Sequence, residues 1–247
     1  MLTKKEEKLV RSLAARKQRR LSRLFVAEGT KLVQDLAASG LELQHLFHLP
    51  SALEFAPWRG AQEVTQEEMK RLTFLDTPSP VLAVFEQPEV DEASFGQAST
   101  VLLLDRVQDP GNVGTLLRSA LWYGVEHIGL VVGTADPFAP KVVQASMSAH
   151  AHVKLWSQSA EQWSHWAQTH DFELVVAHME GTPARSLIWP QRTLLVLGNE
   201  GQGVDPYFHE RAQHRAVLPG HPDKMESLNV AVSGATLLYE RAVSSGL

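Results

Sequence analysis

Four consecutive aliphatic residues, Val101 to Leu104, run into a polar stretch containing Pro110 and Gly111. A helical spacing of Leu116, Leu117, Ala120 and Leu121 follows. The pattern predicts a buried strand, a turn from Asp105 to Gly111, and a helix starting near Asn112. Strand, glycine-containing turn and helix is the layout that sets reactive side chains at the carboxyl edge of a parallel sheet. Asn112 and Arg118 are six residues apart, roughly 600° of rotation at about 100° per helical residue. They cannot share one helical face. Asn112 is therefore expected in the turn and Arg118 on the second helical turn, so that the pair grips one substrate from two directions. An ordinary βα unit, with Asn112 as a cap and Arg118 as a surface charge, accounts for this stretch equally well.

Upstream, residues 3–20 read as a polar surface helix. A short strand at 25–29 ends in Glu28 and Gly29. Thr30 is placed to cap a helix to about Ser39, with Leu32, Val33, Leu36 and Ala37 inward and Gly40 closing it. Strands are expected at Leu43–Leu49 and around Glu63–Val64. Thr65, with Glu68 three residues on, opens a helix to about Leu72 as a capping box. Val81 to Phe85 is strand-like, and the acidic, aperiodic run 86–99 reads as a linker. Downstream, strands are expected at 127–132, 172–177, 193–197 and 214–218, with helices near 140–149, 159–169 and 227–243. This alternation predicts an α/β chain: a small α/β unit over residues 1–88, a linker at 89–98, and a mostly parallel sheet with helices on both faces over 99–247.

The second apolar strand, Thr193 to Leu197, runs straight into GNEGQGV at 198–204. Three glycines this close mark a loop whose backbone approaches something closely or adopts positive φ. Glu200 among them is wrong for a polyphosphate cradle, and neither GKS/GKT nor GxGxxG spacing is present. A carboxylate there suits hydroxyls or a cation; a tight turn with a solvated Glu200 is the plainer alternative. The third stretch, SLNVAVSGATLLYE at 227–240, predicts a helix capped by Ser227 and packed on nearly every side through Leu228, Val230, Ala231, Ala235 and Leu238. Asn229 would then be a buried amide in need of a partner, supplied either by a site or by neighbouring loop carbonyls.

Composition narrows the class. The chain has 247 residues, no cysteine, eleven histidines and a net charge of −5. That length supports a substantial core. The lack of cysteine excludes disulfides, thiolate metal sites and cysteine nucleophiles, and fits the cytoplasm. No apolar run reaches the roughly 18–20 residues of a membrane span, and the basic N-terminus lacks the apolar segment of a secretory signal. There is no HExxH. His150/His152 and His209/His214 lack ligand spacing with an acidic partner, so the histidines read as surface residues and no metal is expected. Charge is uneven: residues 1–23 carry nine basic and two acidic residues, +7, which leaves −12 for the remainder. A basic arm on an acidic body suits phosphate binding and points to nucleic acid. A solvated helix with Leu9, Leu13 and Leu21 packed on the body is the alternative.

Taken together, DPGNVGTLLRSA at 109–120, LVLGNEGQGV at 195–204 and ESLNVAVSGA at 226–235 resemble the SpoU (TrmH-type) family of RNA 2′-O-ribose methyltransferases, of the SPOUT superfamily. The stretches fall in the family's order and spacing, and the resemblance covers 100–243. FVAEGTKLV at 25–33 and VLAVF at 81–85 make the N-terminal part similar to the substrate-binding domain that precedes such catalytic domains. The resemblance implies a deep trefoil knot, which ordinary topology rules would exclude, and S-adenosylmethionine bent on that knot. It also implies an RNA substrate, ribosomal RNA more than tRNA given the separate domain and basic arm, and a homodimer with the active site at its interface. Asn112 and Arg118 match the polar pair of the first motif, Glu200 the acid of the second, and Ser227 and Asn229 the third. Cofactor contact would fall on Ala177, Gly198, Gly201, Leu218 and Leu228. One departure, Leu218-Pro219-Gly220 in place of Ile-Pro-Met with a slightly longer loop to Ser227, bears on the methionine side of the cofactor.

The implied reaction moves a sulfonium methyl in line to a ribose 2′-hydroxyl, which requires alignment at about 3 Å and removal of a proton. The family proposal has Arg118, beside an RNA phosphate, act as or assist the base. Alternatively Arg118 fixes phosphate and ribose while the proton leaves through water. Two other classes compete: a non-catalytic RNA-binding or ribosome-assembly protein that kept the fold, and a nucleotide-dependent α/β enzyme. The intact polar set argues against the first, and the missing nucleotide fingerprints against the second.

Overall fold

The computed structural model describes residues 2–221 and 223–246. In chain order the helices and strands are α1 (Lys4–Ser12), α2 (Arg16–Ser22), β1 (Leu24–Glu28), α3 (Thr30–Ala38), β2 (Leu43–His48), β3 (Ala61–Glu63), α4 (Gln66–Leu72), β4 (Val81–Glu86), α5 (Glu92–Phe95), β5 (Thr100–Leu104), α6 (Pro110–Trp122), β6 (His127–Val131), α7 (Pro140–Ser146), β7 (Lys154–Gln158), α8 (Ala160–Thr169), β8 (Glu173–Pro183), β9 (Thr193–Leu197), α9 (Pro206–His209), β10 (His214–Val217) and α10 (Val230–Ser244). They divide into two compact units. One holds Met1–Glu89 together with Asp136–Ala151; the other holds Val90–Ala135 and His152–Leu247.

The first unit is built on a four-stranded sheet in the order β1-β4-β2-β3, antiparallel except for the β2–β3 pair. One cluster of its core joins Phe25, Leu36, Phe85 and Val143. A second joins Val10, Leu13, Met69 and Leu72. The segment 136–151 therefore contributes core to this unit, with the Phe138 ring 5.3 Å from that of Phe25. The capping box of Thr65 and Glu68 forms as the sequence predicts. Thr30 does not cap α3; Gly29 does, at φ 117°, a conformation that only glycine takes without strain. The single helix expected over 3–20 is two. The break at Leu13–Ala15 arises because the Arg19 guanidinium turns inward, donating to the carbonyls of Leu13 and Ala14 at 2.7 and 2.9 Å and pairing with Asp136 at 2.6 Å. One charge of the basic arm is thus internal.

His48 and His150 are buried, against the expectation of surface histidines. His150 Nδ1 faces the Ser146 hydroxyl at 2.6 Å and Nε2 the Pro137 carbonyl at 2.7 Å. Burial holds the ring neutral and pushes its pKa from the ordinary 6.5 to about 4. Because the folded form binds its proton less readily than the unfolded chain, stability is full above the unfolded value and is lost as pH falls through that interval. Melting temperature is therefore expected to drop between pH 7 and pH 5. A His150→Gln variant would show a smaller drop; an equal drop in both proteins would assign the acid sensitivity elsewhere.

The second unit carries a six-stranded sheet in the order β10-β8-β9-β5-β6-β7, parallel throughout. The central strands Val101–Leu104 and Leu194–Leu197 are buried on both faces, as continuous aliphatic runs in α/β sheets are. On one face lies an aromatic cluster of Phe95, Trp156, Trp163 and Trp166. On the other, Gly234 of α10 lets that helix come close to Leu116 of α6 and Leu197 of β9. The stretch read as a linker contributes α5, whose Phe95 is fully buried. Strand β7, unanticipated, lies at the sheet edge, and α10 begins three residues later than the predicted helix.

Candidate active site

In a parallel sheet, residues just past the carboxyl ends of neighbouring strands share one edge. Gly198 follows β9, Leu218 follows β10, and Ala177 follows Val176, where β8 stops pairing with β9. Helix α6, whose first turn carries Asn112, follows β5, the neighbour of β9. The sequence-predicted residues from four separate stretches thus meet at one end of four adjoining strands.

Hydrogen bonds tie three of them together. Glu200 accepts from Asn112 Nδ2 at 3.0 Å and from the backbone N–H groups of Gln108 and Asp109, each at 3.2 Å. Asn112 Oδ1 accepts from Asn229 Nδ2 at 3.0 Å. The chain Asn229–Asn112–Glu200 joins the start of α10, the start of α6 and the loop after β9. Partial burial pushes the Glu200 carboxyl up, but the donors around it outweigh that and hold it below the ordinary carboxylate value. Glu200 is therefore a charged acceptor committed to the loop and helix amides, although it lies exposed in the turn after β9. Glu200→Gln would place an amide N–H against one of those donors. About ten-fold lower turnover with an unchanged melting temperature is expected; turnover equal to wild type would remove Glu200 from the site.

Two local expectations change. Asn112 lies inside α6, in its first turn, because Asp109 is the N-cap and Pro110 occupies the first helical position. The Asn112 N–H is the one that Asp109 Oδ1 accepts, at 2.8 Å. Ser227 does not cap α10. Asn229 does, accepting from the N–H groups of Ala231 and Val232, and it is exposed, not buried. Ser227 lies in the exposed segment ahead of the helix, outside the hydrogen-bonded set. Arg118 is exposed on α6 and forms no hydrogen bond or ion pair with any described residue.

Of the predicted cofactor residues, Gly198 is buried, Ala177 and Leu218 are half-buried, and Gly201 and Leu228 are exposed, Leu228 by 55%. Gly198 meets its own loop: a Cβ there would lie 2.1 Å from the Val204 nitrogen. Asn199 and Gly203 exchange backbone hydrogen bonds of 2.9 Å, and Gly203 takes φ 69°. Gly201 shows neither constraint.

Sequence reading missed the residues that fix this loop. Asp105 is fully buried, binds Arg106 at 2.8 and 3.1 Å, and accepts the Asp205 N–H at 2.7 Å. Arg106 pairs with Asp205 at 3.2 Å, and its carbonyl accepts from Asn199 Nδ2 at 2.8 Å. The hydrogen bond from Asp105 holds the Arg106 guanidinium above its ordinary pKa. An acid–base pair directly after a buried strand was the available signal. Among the described residues no group of three or more His, Cys, Asp or Glu is placed to hold a metal, and no helix is long and apolar enough to cross a membrane.

The constellation offers a ligand polar and apolar side chains at the sheet edge, and the helix that carries Asn112 also carries Arg118, unpaired among the described residues. Known proteins share this fold. Residues 5–83 match the MRM3-like substrate binding domain. The chain is 31% identical to the Bacillus subtilis 23S rRNA (guanosine(2553)-2′-O)-methyltransferase RlmP, over 93% of this chain and 92% of that protein. The structure of an AdoMet-bound rRNA methyltransferase from Sinorhizobium meliloti superposes with a TM-score of 0.89 at 30% identity, covering 100% of this chain and 97% of the other. An RNA methyltransferase of the TrmH family from Porphyromonas gingivalis gives 0.85 at 34% identity, covering 97% and 98%. Residues 99–239, more than half of the sequence, match the SpoU rRNA Methylase family, and to that family this chain belongs.

Proposed function

We propose that this protein transfers a methyl group from S-adenosylmethionine to a ribose 2′-hydroxyl of ribosomal RNA. The observation that carries the reading is the Asn229–Asn112–Glu200 chain at the carboxyl edge of the sheet, with Arg118, unpaired among the described residues, on the same helix as Asn112. The Bacillus subtilis and Sinorhizobium meliloti relatives support both the substrate class and the cofactor.

The residues at the edge suit an adenosyl group. The half-buried Leu218 and the exposed Leu228 offer apolar surface at the edge that also carries the polar loop after β9, the mixture that small-molecule sites use. Ala177, Gly198, Gly201, Leu218 and Leu228 would hold the cofactor, which supplies the activated methyl group when bound. Arg118 clamps the phosphate and ribose of the acceptor nucleotide, since a planar guanidinium grips phosphate in two places. The 2′-hydroxyl proton leaves to water. Asn112 orients the ribose; Glu200 and Asn229 position Asn112; Ser227, in the exposed segment before α10, helps to order the site.

The trefoil knot belongs to the same proposal. Its support is the strand order: the chain leaves β9, crosses β8 to form β10 at the sheet edge, and returns as α10 to pack on α6. A homodimer through this unit is supported by exposed apolar side chains: Trp122, 80% exposed on α6, and Val232, Tyr239 and Val243 on α10. Sedimentation is expected to give twice the 27.4 kDa chain mass, and Tyr239→Arg with Val243→Arg to halve it. A monomeric wild type would end the dimer reading. The absence of cysteine and the bacterial relative support a cytoplasmic setting.

The test is transfer of labelled methyl from S-adenosylmethionine to unmodified 23S ribosomal RNA and tRNA transcripts, followed by alkaline hydrolysis. Label in an alkali-resistant dinucleotide from ribosomal RNA is expected. Cofactor binding without label on either RNA would overturn the substrate. No cofactor binding at all would favour a non-catalytic RNA-binding protein.

A further inference from the structure

Glu28 ends β1, the edge strand of the first unit's sheet, and is only 4% exposed. One carboxylate oxygen accepts from the Thr73 hydroxyl and the other from the Phe74 N–H at 2.8 Å. It has no cationic partner among the described residues. Burial pushes its pKa up against those two hydrogen bonds. Pinning the 73–74 turn to β1 does not need a carboxylate, because a neutral side chain would do so at a smaller desolvation cost.

Its setting supplies a reason. Glu28 lines a cavity of about 350 Å³ walled by Val26, Phe74, Pro140 and Val143, a volume within the ~300–1,000 Å³ of small-molecule sites. A carboxylate has about four lone-pair positions, and Thr73 and Phe74 use two. Two remain on a group that lines a mostly apolar cavity, and they call for N–H donors. The rim carries the opposite charge. Lys141 is exposed and lacks a partner among the described residues. Arg11 lies 5.6 Å from the Phe74 ring centre and donates to the Thr73 carbonyl at 3.2 Å. Besides Glu28, the lining includes a second acid, Asp76. A slot with an aromatic wall, a carboxylate floor and cations outside complements a nucleotide that enters base first. Among RNA bases, guanine has two adjacent N–H donors on its Watson–Crick edge, matching the two oxygens of a carboxylate. Uracil flanks its one N–H with carbonyls, which a carboxylate repels. Unpaired bases read on that edge are the usual route to sequence-specific RNA recognition.

Resting on the reading that this chain acts on RNA, we infer that the cavity receives an unpaired guanine of the substrate, with Glu28 as its acceptor and Lys141 and Arg11 at its phosphate. The cavity lies wholly in the first unit, whereas every residue of the methyl-transfer set belongs to the second.

The test uses the full chain and fluorescent oligouridine carrying one central guanosine, inosine or adenosine. Wild type is expected to bind the guanosine probe about ten-fold more tightly than the other two. Inosine isolates the 2-amino group. Glu28→Gln should reduce the preference to about unity and leave the adenosine probe unchanged. Gln144→Trp, which fills the cavity from α7 without touching the carboxylate, should do the same and decides the matter if Glu28→Gln fails to fold. Equal binding of all three probes by wild type would overturn the inference, as would a folded Glu28→Gln protein that keeps the preference. RNA binding and methyl transfer without guanine preference would remove this inference alone. A chain that neither binds nor methylates RNA would remove the RNA reading and this inference together.

Discussion

Arg118→Lys is expected to lower turnover by about 10²-fold or more while leaving S-adenosylmethionine affinity and melting temperature at their wild-type values. The side chain is exposed and unpaired among the described residues, so no native contact is lost. Lysine keeps the charge but presents a point ammonium instead of a planar fork. A phosphate held at one place and not two lets the acceptor ribose drift, and misplacement near 1 Å costs on the order of 10² in rate. The measurement is single-turnover methyl transfer to ribosomal RNA, with cofactor binding followed by calorimetry. A lysine variant within two- to three-fold of wild type would show that charge alone suffices and that Arg118 steers RNA without positioning it. Loss of cofactor affinity in parallel would move Arg118 into the cofactor site.

Gly198→Ala is expected to destabilise the second unit strongly. Its Cβ would lie 2.1 Å from the Val204 nitrogen and 2.2 Å from the Gly203 carbonyl carbon. Both are backbone atoms, which cannot swing aside as a side-chain end would. Relief requires opening the Asn199–Gly203 pair, whose two 2.9 Å hydrogen bonds close the loop. Overpacking usually costs about 1–3 kcal/mol, and a backbone clash at this distance belongs at the top of that range or above it. Glu200 rides on the same loop, so cofactor binding and turnover should fall together, unlike in Arg118→Lys. Urea denaturation and calorimetry check this. A midpoint within experimental error of wild type would mean that the loop yields freely and that the glycine serves the ligand. Gly234→Ala offers a contrast: its Cβ would meet the side-chain ends of Leu116 and Leu197 at 2.3 and 2.5 Å, and those can partly move.

The strands of the second unit were legible because Val101–Leu104 and Thr193–Leu197 are uninterrupted aliphatic runs, and a strand buried on both faces needs such a run. Strand β7 was not: Lys154–Gln158 offers only Leu155 and Trp156, and an edge strand needs no more. Helix starts were misread three times, at Asn112, Ser227 and Thr30. In each case a side chain able to cap was present, but the cap goes to the residue that immediately precedes the helical backbone. Asp109 before Pro110 carried that signal, and so did Gly29. The polar residues of the site were found, but not their wiring. Asn112 and Glu200 are 88 residues apart and Asn112 and Asn229 117. No local pattern records that one amide serves both. Nor does periodicity reveal that Asn229 is exposed; a helix with apolar residues all around reads as buried until its neighbours are placed.

The assignment of Asp136–Ala151 to the first unit sets the order in which the chain can mature as it emerges from the ribosome. Asp136, the counter-ion of the inward-turned Arg19, and Phe138 and Val143, which complete the core around Phe25, are translated well after β4. Until they arrive, the nascent N-terminal sheet holds an uncompensated guanidinium and an uncovered aromatic face. The polypeptide must therefore keep its first unit unfinished while it begins the second, and a fragment cut at residue 89 would freeze it in that incomplete state.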